Sequence, residues 1–144
     1  MRDTILIGID GSEVSEHAVN FAVAQARTGN TRLILGYVVE WSPYTFNTPE
    51  ENEQRHLRRK EELQTAEERI LTPILQSIKN EGIETLGVVR HGQVADTLLQ
   101  IAKDENADQI VIGRIGHSGI KSLLFGSVTT KLIQIADIPV TIVP

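Results

Sequence analysis

Five short, mostly apolar runs alternate along the chain with segments in which apolar residues recur at helical spacing, and this alternation most constrains the fold. The runs are Thr4 to Ile9, Arg32 to Val39, Thr85 to Arg90, Gln109 to Gly113 and Ile138 to Pro144. The first two are nearly continuously apolar, the pattern of strands buried on both faces of a parallel sheet. Strand, helix and strand in one sheet cross over with a right hand. The pattern therefore predicts an α/β domain of three layers, a parallel sheet covered by helices on both faces.

The helical segments carry their own signals. Ala18, Val19, Ala22, Val23 and Ala26 form one face of a helix from Ser15, with Ser15 or Ser12 as N-cap and Gly29-Asn30 as its stop. Between Pro49 and Glu81 the positions Leu57, Leu63, Ala66, Ile70, Ile74 and Ile78 fall on one stripe of a long helix. Pro73 should kink it or restart it with Thr72 as cap. The run Arg58-Arg59-Lys60-Glu61-Glu62 reads as a solvated face, with a partner-binding patch as the alternative. His91-Gly92-Gln93 turns the third strand into a helix faced by Val94, Leu98, Ile101 and Ala102, and a last helix runs from about Ser127 to Ala136.

A length of 144 residues suits one domain, here residues 1–144, without linker or repeat. A chain this long buries roughly 68 to 70% of its unfolded surface and needs no staple. With no cysteine, disulfide frameworks, thiolate nucleophiles, zinc sites with sulfur ligands and iron-sulfur chemistry are excluded. No apolar run reaches the ~20 residues of a membrane span, so no membrane insertion is expected. Met1-Arg2-Asp3 leads straight into a strand-like stretch instead of a signal sequence, and the expected compartment is the cytosol. A net charge of -5 argues against broad nucleic-acid binding, which needs a surplus of Lys and Arg on one face.

In doubly wound sheets ligands bind beyond the carboxyl ends of the strands. Those ends are Asp10-Gly11-Ser12, Val38-Val39-Glu40, His91-Gly92 and the loop from Gly113 to Ser127. Missing Cβ atoms at Gly113, Gly116 and Gly126 would permit positive φ and close approach of backbone N–H groups, and Ser127 would open a helix with its positive end at the same point. Arg114, His117 and Lys121 add positive charge, so a di- or triphosphate suits this cradle better than a neutral ligand. Neither G-x-x-x-x-G-K-[ST] nor a G-x-G-x-x-G after the first strand occurs, which disfavours a P-loop NTPase and an ordinary dinucleotide-binding dehydrogenase.

The loop instead reads Gly113, two residues, Gly116, nine residues, then Gly126-Ser127. This G-x2-G-x9-G-S spacing resembles the ATP-binding signature of the universal stress protein family. The opening strand with Asp10-Gly11-Ser12, the run Asp108 to Gly113 and the closing Pro139-Val140-Thr141-Ile142-Val143 extend the resemblance over the whole chain. It implies a Rossmann-like α/β/α sandwich of the adenine nucleotide alpha hydrolase kind, with strand order 3-2-1-4-5. It also implies that Gly8, Ile9, Asp10 and Val38 meet the nucleoside from the first two strands, with Ile112 and Gly113 beside it. Arg114, Gly116, His117, Gly126, Ser127 and Val128 would line ribose and phosphates. Asp10 would accept from a ribose hydroxyl, accept from the adenine edge, or help hold a Mg or Mn ion bridging phosphates. The chain departs from the family pattern at Ile115, where a basic residue is usual, and at Arg114, where a small hydroxyl residue is common.

Several of these residues have plainer readings. Gly113 and Gly116 would serve as turn formers, Ser127 as an N-cap, Asp10 as an Asx-turn residue, and His117 as an exposed loop residue. His17, His56 and His91 lack metal-ligand spacing and read as surface or turn residues. Trp41, Tyr44 and Phe46 either lid the pocket or pack on the long helix. No residue stands out as a base for attack by water, so the expected function is regulation by ATP (or ADP or AMP) occupancy, read by an unidentified protein partner. A slow metal-dependent ATPase or phosphotransfer enzyme and a ligand-independent dimeric scaffold are the alternatives. Val140, Thr141, Ile142 and Val143 form a short apolar strand expected at a sheet edge, where pairing with a second copy would satisfy the open backbone groups; the resemblance points to the same homodimer.

Overall fold

The computed structural model describes residues 2–10, 13–40, 48–114 and 126–144. Along the chain run β1 (Asp3–Ile9), α1 (Glu13–Arg27), β2 (Thr31–Glu40), α2 (Pro49–Ala66), a π-helical turn (Glu67–Leu71), α3 (Thr72–Lys79), β3 (Thr85–Gly92), α4 (Val94–Asp104), β4 (Gln109–Gly113), α5 (Ser127–Ile135) and β5 (Val140–Val143). The strands form one parallel sheet in the order β3-β2-β1-β4-β5, as expected. Among the described residues no helix is long and apolar enough to cross a membrane.

The winding follows from handedness. Moving from β1 to β2 to β3 with right-handed crossovers places α1 and the α2–α3 segment on one face; moving back through β4 to β5 places α4 and α5 on the other. The core is therefore split in two. Ile5, Ile7, Leu33, Leu35 and Val111 pack under α1, Leu71 and Ile78, while Leu6, Ile34, Ile110 and Ile112 pack under α4 and Leu132 of α5. Neighbours such as Leu6 and Ile7 point to opposite faces and are both 0% exposed, which is why the strands read as continuous apolar runs.

A glycine pair sets the height of α4. Gly8 and Gly36 are opposite each other in the β1–β2 ladder. A Cβ on Gly8 would meet Leu98 Cδ1 at 3.1 Å and Ile112 Cγ2 at 2.9 Å, and one on Gly36 would meet Leu98 Cδ2 at 3.3 Å. Leu98 of α4 fills the space that both side chains would have taken.

Several local expectations are corrected. Ser15 lies inside α1 and is buried, so it is not the cap; Ser12 lies outside the described residues. Pro73 sits in the first turn of α3, which restarts the helix at Thr72 as expected. Its ring cannot sit over the carbonyl four residues back, and the π turn before it opens the helix so that the Thr72 N–H donates to the Glu67 carbonyl. Thr72 has helical φ and ψ, so it does not cap; its hydroxyl donates to the same carbonyl at 2.8 Å. β3 runs on to Gly92 because its ladder with β2 continues through Val39↔His91 and Glu40↔Gly92. β5 begins only at Val140, since Pro139 has no N–H to give and contributes just its carbonyl to Ile110.

Leu57 is also displaced from the expected core. It is 55% exposed, and Ala66 is the one buried residue of α2 among those described, so this helix is only lightly buried against the rest of the domain. A capping box replaces burial at its start: Thr48 Oγ1 accepts from the Glu51 N–H at 3.1 Å, and Glu51 Oε2 accepts from the Thr48 N–H at 3.0 Å. Two alanine substitutions separate these environments in urea unfolding. Leu6→Ala should cost about 2 to 5 kcal/mol, and Leu57→Ala no more than about 0.5 kcal/mol; equal losses would mean that α2 is covered along its whole length.

Candidate functional site

The carboxyl ends of β1, β2, β3 and β4 lie on one side of the sheet because all the strands are parallel. β1 pairs with β2 on one edge and β4 on the other, so the reversal of winding falls between β1 and β4, where a crevice forms in sheets of this kind. The ends of the β4–α5 loop are fixed here. The Arg114 N–H donates to the Val143 carbonyl at 2.8 Å, and the Gly126 N–H donates to the Arg114 carbonyl at 2.9 Å. Thr129, 2% exposed, donates its hydroxyl to the Gly113 carbonyl at 3.0 Å, which ties the first turn of α5 to the end of β4.

These bonds leave the start of α5 open. Gly126 is the N-cap, with φ -71° and ψ 167°, and no side chain of the described residues caps the helix. Ser127 is the first helical residue, not the cap expected for it; a cap must leave the helical φ and ψ range, and the residue in extended backbone is Gly126. The expected positive φ is absent at Gly113 and Gly126. Gly113 is required for another reason: a Cβ there would lie 2.4 Å from Val14 Cγ1 and 3.1 Å from the Val14 carbonyl oxygen, so it lets α1 approach β4.

α4 presents a second open helix start, with Gln93 as N-cap and no side-chain cap bond. It is aimed by Gly92, whose φ is +155° and whose Cβ would collide with Thr97 Oγ1 at 2.3 Å. Both helix starts border a groove of 320 Å³. Glu40 closes one side from the end of β2, Gly92, Gln93, Val94 and Ala95 form the β3–α4 side, and Ser127, Val128 and Lys131 come from α5. The unpaired N–H groups of two first turns make the groove attractive to an anion.

Of the residues singled out from the sequence, Ser127 and Val128 line this groove. Val38, buried, shares a core cluster with Ala95 and with Ile112, and so supports the groove from below. Gly8 underlies Leu98 and Ile112, while Ile9 points to the opposite face, under α1. Asp10 and Arg114 stand at the ends of β1 and β4. Gly116, His117, Lys121, Trp41, Tyr44 and Phe46 lie outside the described residues. Gln93, Val94, Ala95 and Lys131 were missed, although Gly92 at a strand end, and the spacing of Lys131 four residues after Ser127, were signals for them.

His91 is not the surface or turn residue expected. It sits within β3 with its side chain 13% exposed. Its Nε2–H donates to the Arg59 carbonyl of α2 at 3.1 Å, and its buried Nδ1 has no hydrogen-bond partner. No group of three or more His, Asp or Glu side chains forms a metal cluster among the described residues.

Beside Ile9, in register with it, stands Tyr37. Its phenol is held above its ordinary value, first by burial and second by the negative charge of Asp10. A folded value above the unfolded one means that the neutral phenol is favoured by the fold. Its contribution to stability is intact below about pH 10 and is lost as pH rises through the raised value. In a Tyr44→Phe background, which leaves Tyr37 as the one tyrosine, Asp10→Asn should lower the phenolate midpoint seen by ultraviolet absorbance, though not to that of free tyrosine, since burial remains. An unchanged midpoint would mean that the Asp10 carboxylate does not act on Tyr37.

The model of the Universal stress protein family matches residues 1–144. The universal stress protein YxiE of Bacillus subtilis is 30% identical, with 99% of each chain covered. The universal stress protein UspA from Lactobacillus plantarum shares the fold, with a TM-score of 0.84 at 23% identity over 99% of this chain and 97% of that one. A universal stress protein solved in complex with cAMP gives a TM-score of 0.63 at 25% identity, over 99% and 96% of the two chains. With the whole chain matched by the family model, and its sheet wound like those of these relatives, the protein belongs to the universal stress protein family.

Proposed function

We propose that the protein binds an adenine nucleotide, ATP before ADP or AMP, between the carboxyl ends of the strands and the starts of α4 and α5, and that it works by occupancy. The observation that carries this reading is the pair of helix starts without side-chain caps that face one groove beside the glycine loop. The cAMP complex of a relative supports an adenine nucleotide over other anions. Gly116 and His117, with Gly126 and Ser127, would then hold phosphates, and Val38 and Ile112 would lie beside the nucleoside. A Mg or Mn ion would enter with the phosphates, with Asp10 as its protein ligand, since Mg keeps several waters and needs few carboxylates. Occupancy would change the surface offered to a regulatory protein partner.

One observation favours a second reading. Glu40 lines the groove, so a carboxylate is available to orient water, and slow hydrolysis follows as the alternative. Denaturing the purified protein and identifying the released small molecules by chromatography and mass spectrometry separates the two. Stoichiometric ATP is expected, and Gly126→Val, which puts a branched side chain at the buried start of α5, should empty the site. Stoichiometric ADP or AMP would favour hydrolysis; an empty protein that also ignores added ATP in calorimetry would overturn nucleotide binding.

The edge strand β5 suits a homodimer through Val140, Thr141, Ile142 and Val143. The carbonyls of Pro139 and Val143 face β4, so by alternation the backbone groups of Val140 and Ile142 face the open edge. Ile142→Pro removes one outward N–H, a change that edge strands tolerate, and should give a monomer in sedimentation. A dimer that persists would place the interface elsewhere.

A further inference from the structure

We propose that Lys131 selects a phosphorylated ligand for this groove, exchanging Asp96 for a phosphate oxygen when the ligand enters. The proposal rests on the nucleotide reading and adds to it the residue that tells a nucleotide from a nucleoside. Lys131 lies one turn after Ser127 on α5, and residues four apart share a helix face, so its ammonium and the open start of α5 serve the same side of the groove. Nζ donates to Asp96 Oδ2 at 2.8 Å and to Gln93 Oε1 at 3.3 Å. Both acceptors belong to the start of α4, so the ammonium bridges the groove from one helix to the other. Those two bonds use two of its three protons, which leaves one for a ligand.

Charge makes the same point. Among the described lining residues Lys131 is the one cation and Glu40 the one carboxylate. A phosphate entering without Lys131 would meet Glu40 with only helix dipoles to offset it. The ion pair with Asp96 is an exposed one, with side chains 44% and 54% accessible, and such pairs are weakly held. A phosphate, with more charge and several acceptor oxygens, is the stronger partner for the ammonium. Asp96 then acts as a competitor that holds the lysine in place while the groove is free of anions.

Calorimetric titration of the full chain with ATP and with adenosine tests this. Lys131→Met should raise the ATP Kd about tenfold, the loss of one charge-assisted hydrogen bond, and leave the adenosine Kd unchanged. Lys131→Arg should keep most of the ATP affinity. Asp96→Asn should lower the ATP Kd about threefold by releasing the lysine. If the pair were only a strut between α4 and α5, Asp96→Asn would weaken ATP as Lys131→Met does, or Lys131→Met would weaken both ligands alike; either result overturns the proposal. So does an ATP Kd within about twofold of wild type in Lys131→Met, and this leaves nucleotide binding itself standing. A wild-type chain that binds neither ligand overturns the nucleotide reading and this role of Lys131 with it.

Discussion

The packing of Leu98 onto the Gly8–Gly36 pair is the constraint on which the groove end of the molecule depends. Sheet and helix surfaces normally stand apart by the thickness of two layers of side chains. Here two glycines opposite each other in neighbouring strands open a gap in the sheet's layer, and Leu98 of α4 settles into it. The start of α4 lies one turn from Leu98, so the same contact sets where Val94 and Ala95 stand and how wide the groove is. The fixed start of α5, held through Thr129 to Gly113, supplies the opposite wall. The groove is thus a by-product of how two helices are seated on the sheet, and rigid elements form most of its border.

The electrostatics of that groove run against those of the whole chain. A net charge of -5 would repel a nucleotide at long range, but over more than about 8 Å at physiological salt such repulsion is largely screened. Close to the site, two open helix starts and Lys131 dominate. Two acids elsewhere are paired within their own neighbourhoods. Arg32 binds Glu105 at 2.6 Å and Arg90 binds Asp104 at 2.9 Å, both at the far ends of elements from the groove or along the β3 edge. Hydrogen bonds from Gln100 and Arg90 hold the Asp104 carboxyl below its ordinary range, so it stays charged and adds to the acidic surface there.

How much of this was legible in the sequence depended on the range of the interaction. Strands buried on both faces announce themselves because every side chain must be apolar, and Leu33, Ile34 and Leu35 are all fully buried. The family was legible because the glycine spacing from Gly113 to Gly126 resembles that family's signature, and the family model matches the whole chain. Contacts between segments distant in the chain were not. Gly113 reads as a flexible turn former, but Val14 explains it. His91 reads as a turn residue until α2, more than thirty positions away, covers it. The stripe through Leu57 is periodic enough for a buried helix face, yet periodicity cannot say where the sheet beneath it stops. Pro73 marked where the helix restarts, but the extra residue of the π turn before it has no sequence marker of its own.

The bond from Gly126 to the Arg114 carbonyl has a consequence for how such a protein can diversify. It ties off the intervening segment at its neck, so strand and helix stay joined whatever that segment contains. Closing a longer loop is inexpensive in entropy: each doubling of length adds about 0.6 kcal/mol. Natural variation can therefore exchange the whole segment for one of different size and charge while the sheet, the helix starts and the groove between them are inherited intact. The neck makes the loop a replaceable cassette, and its content can drift without a new fold having to be found.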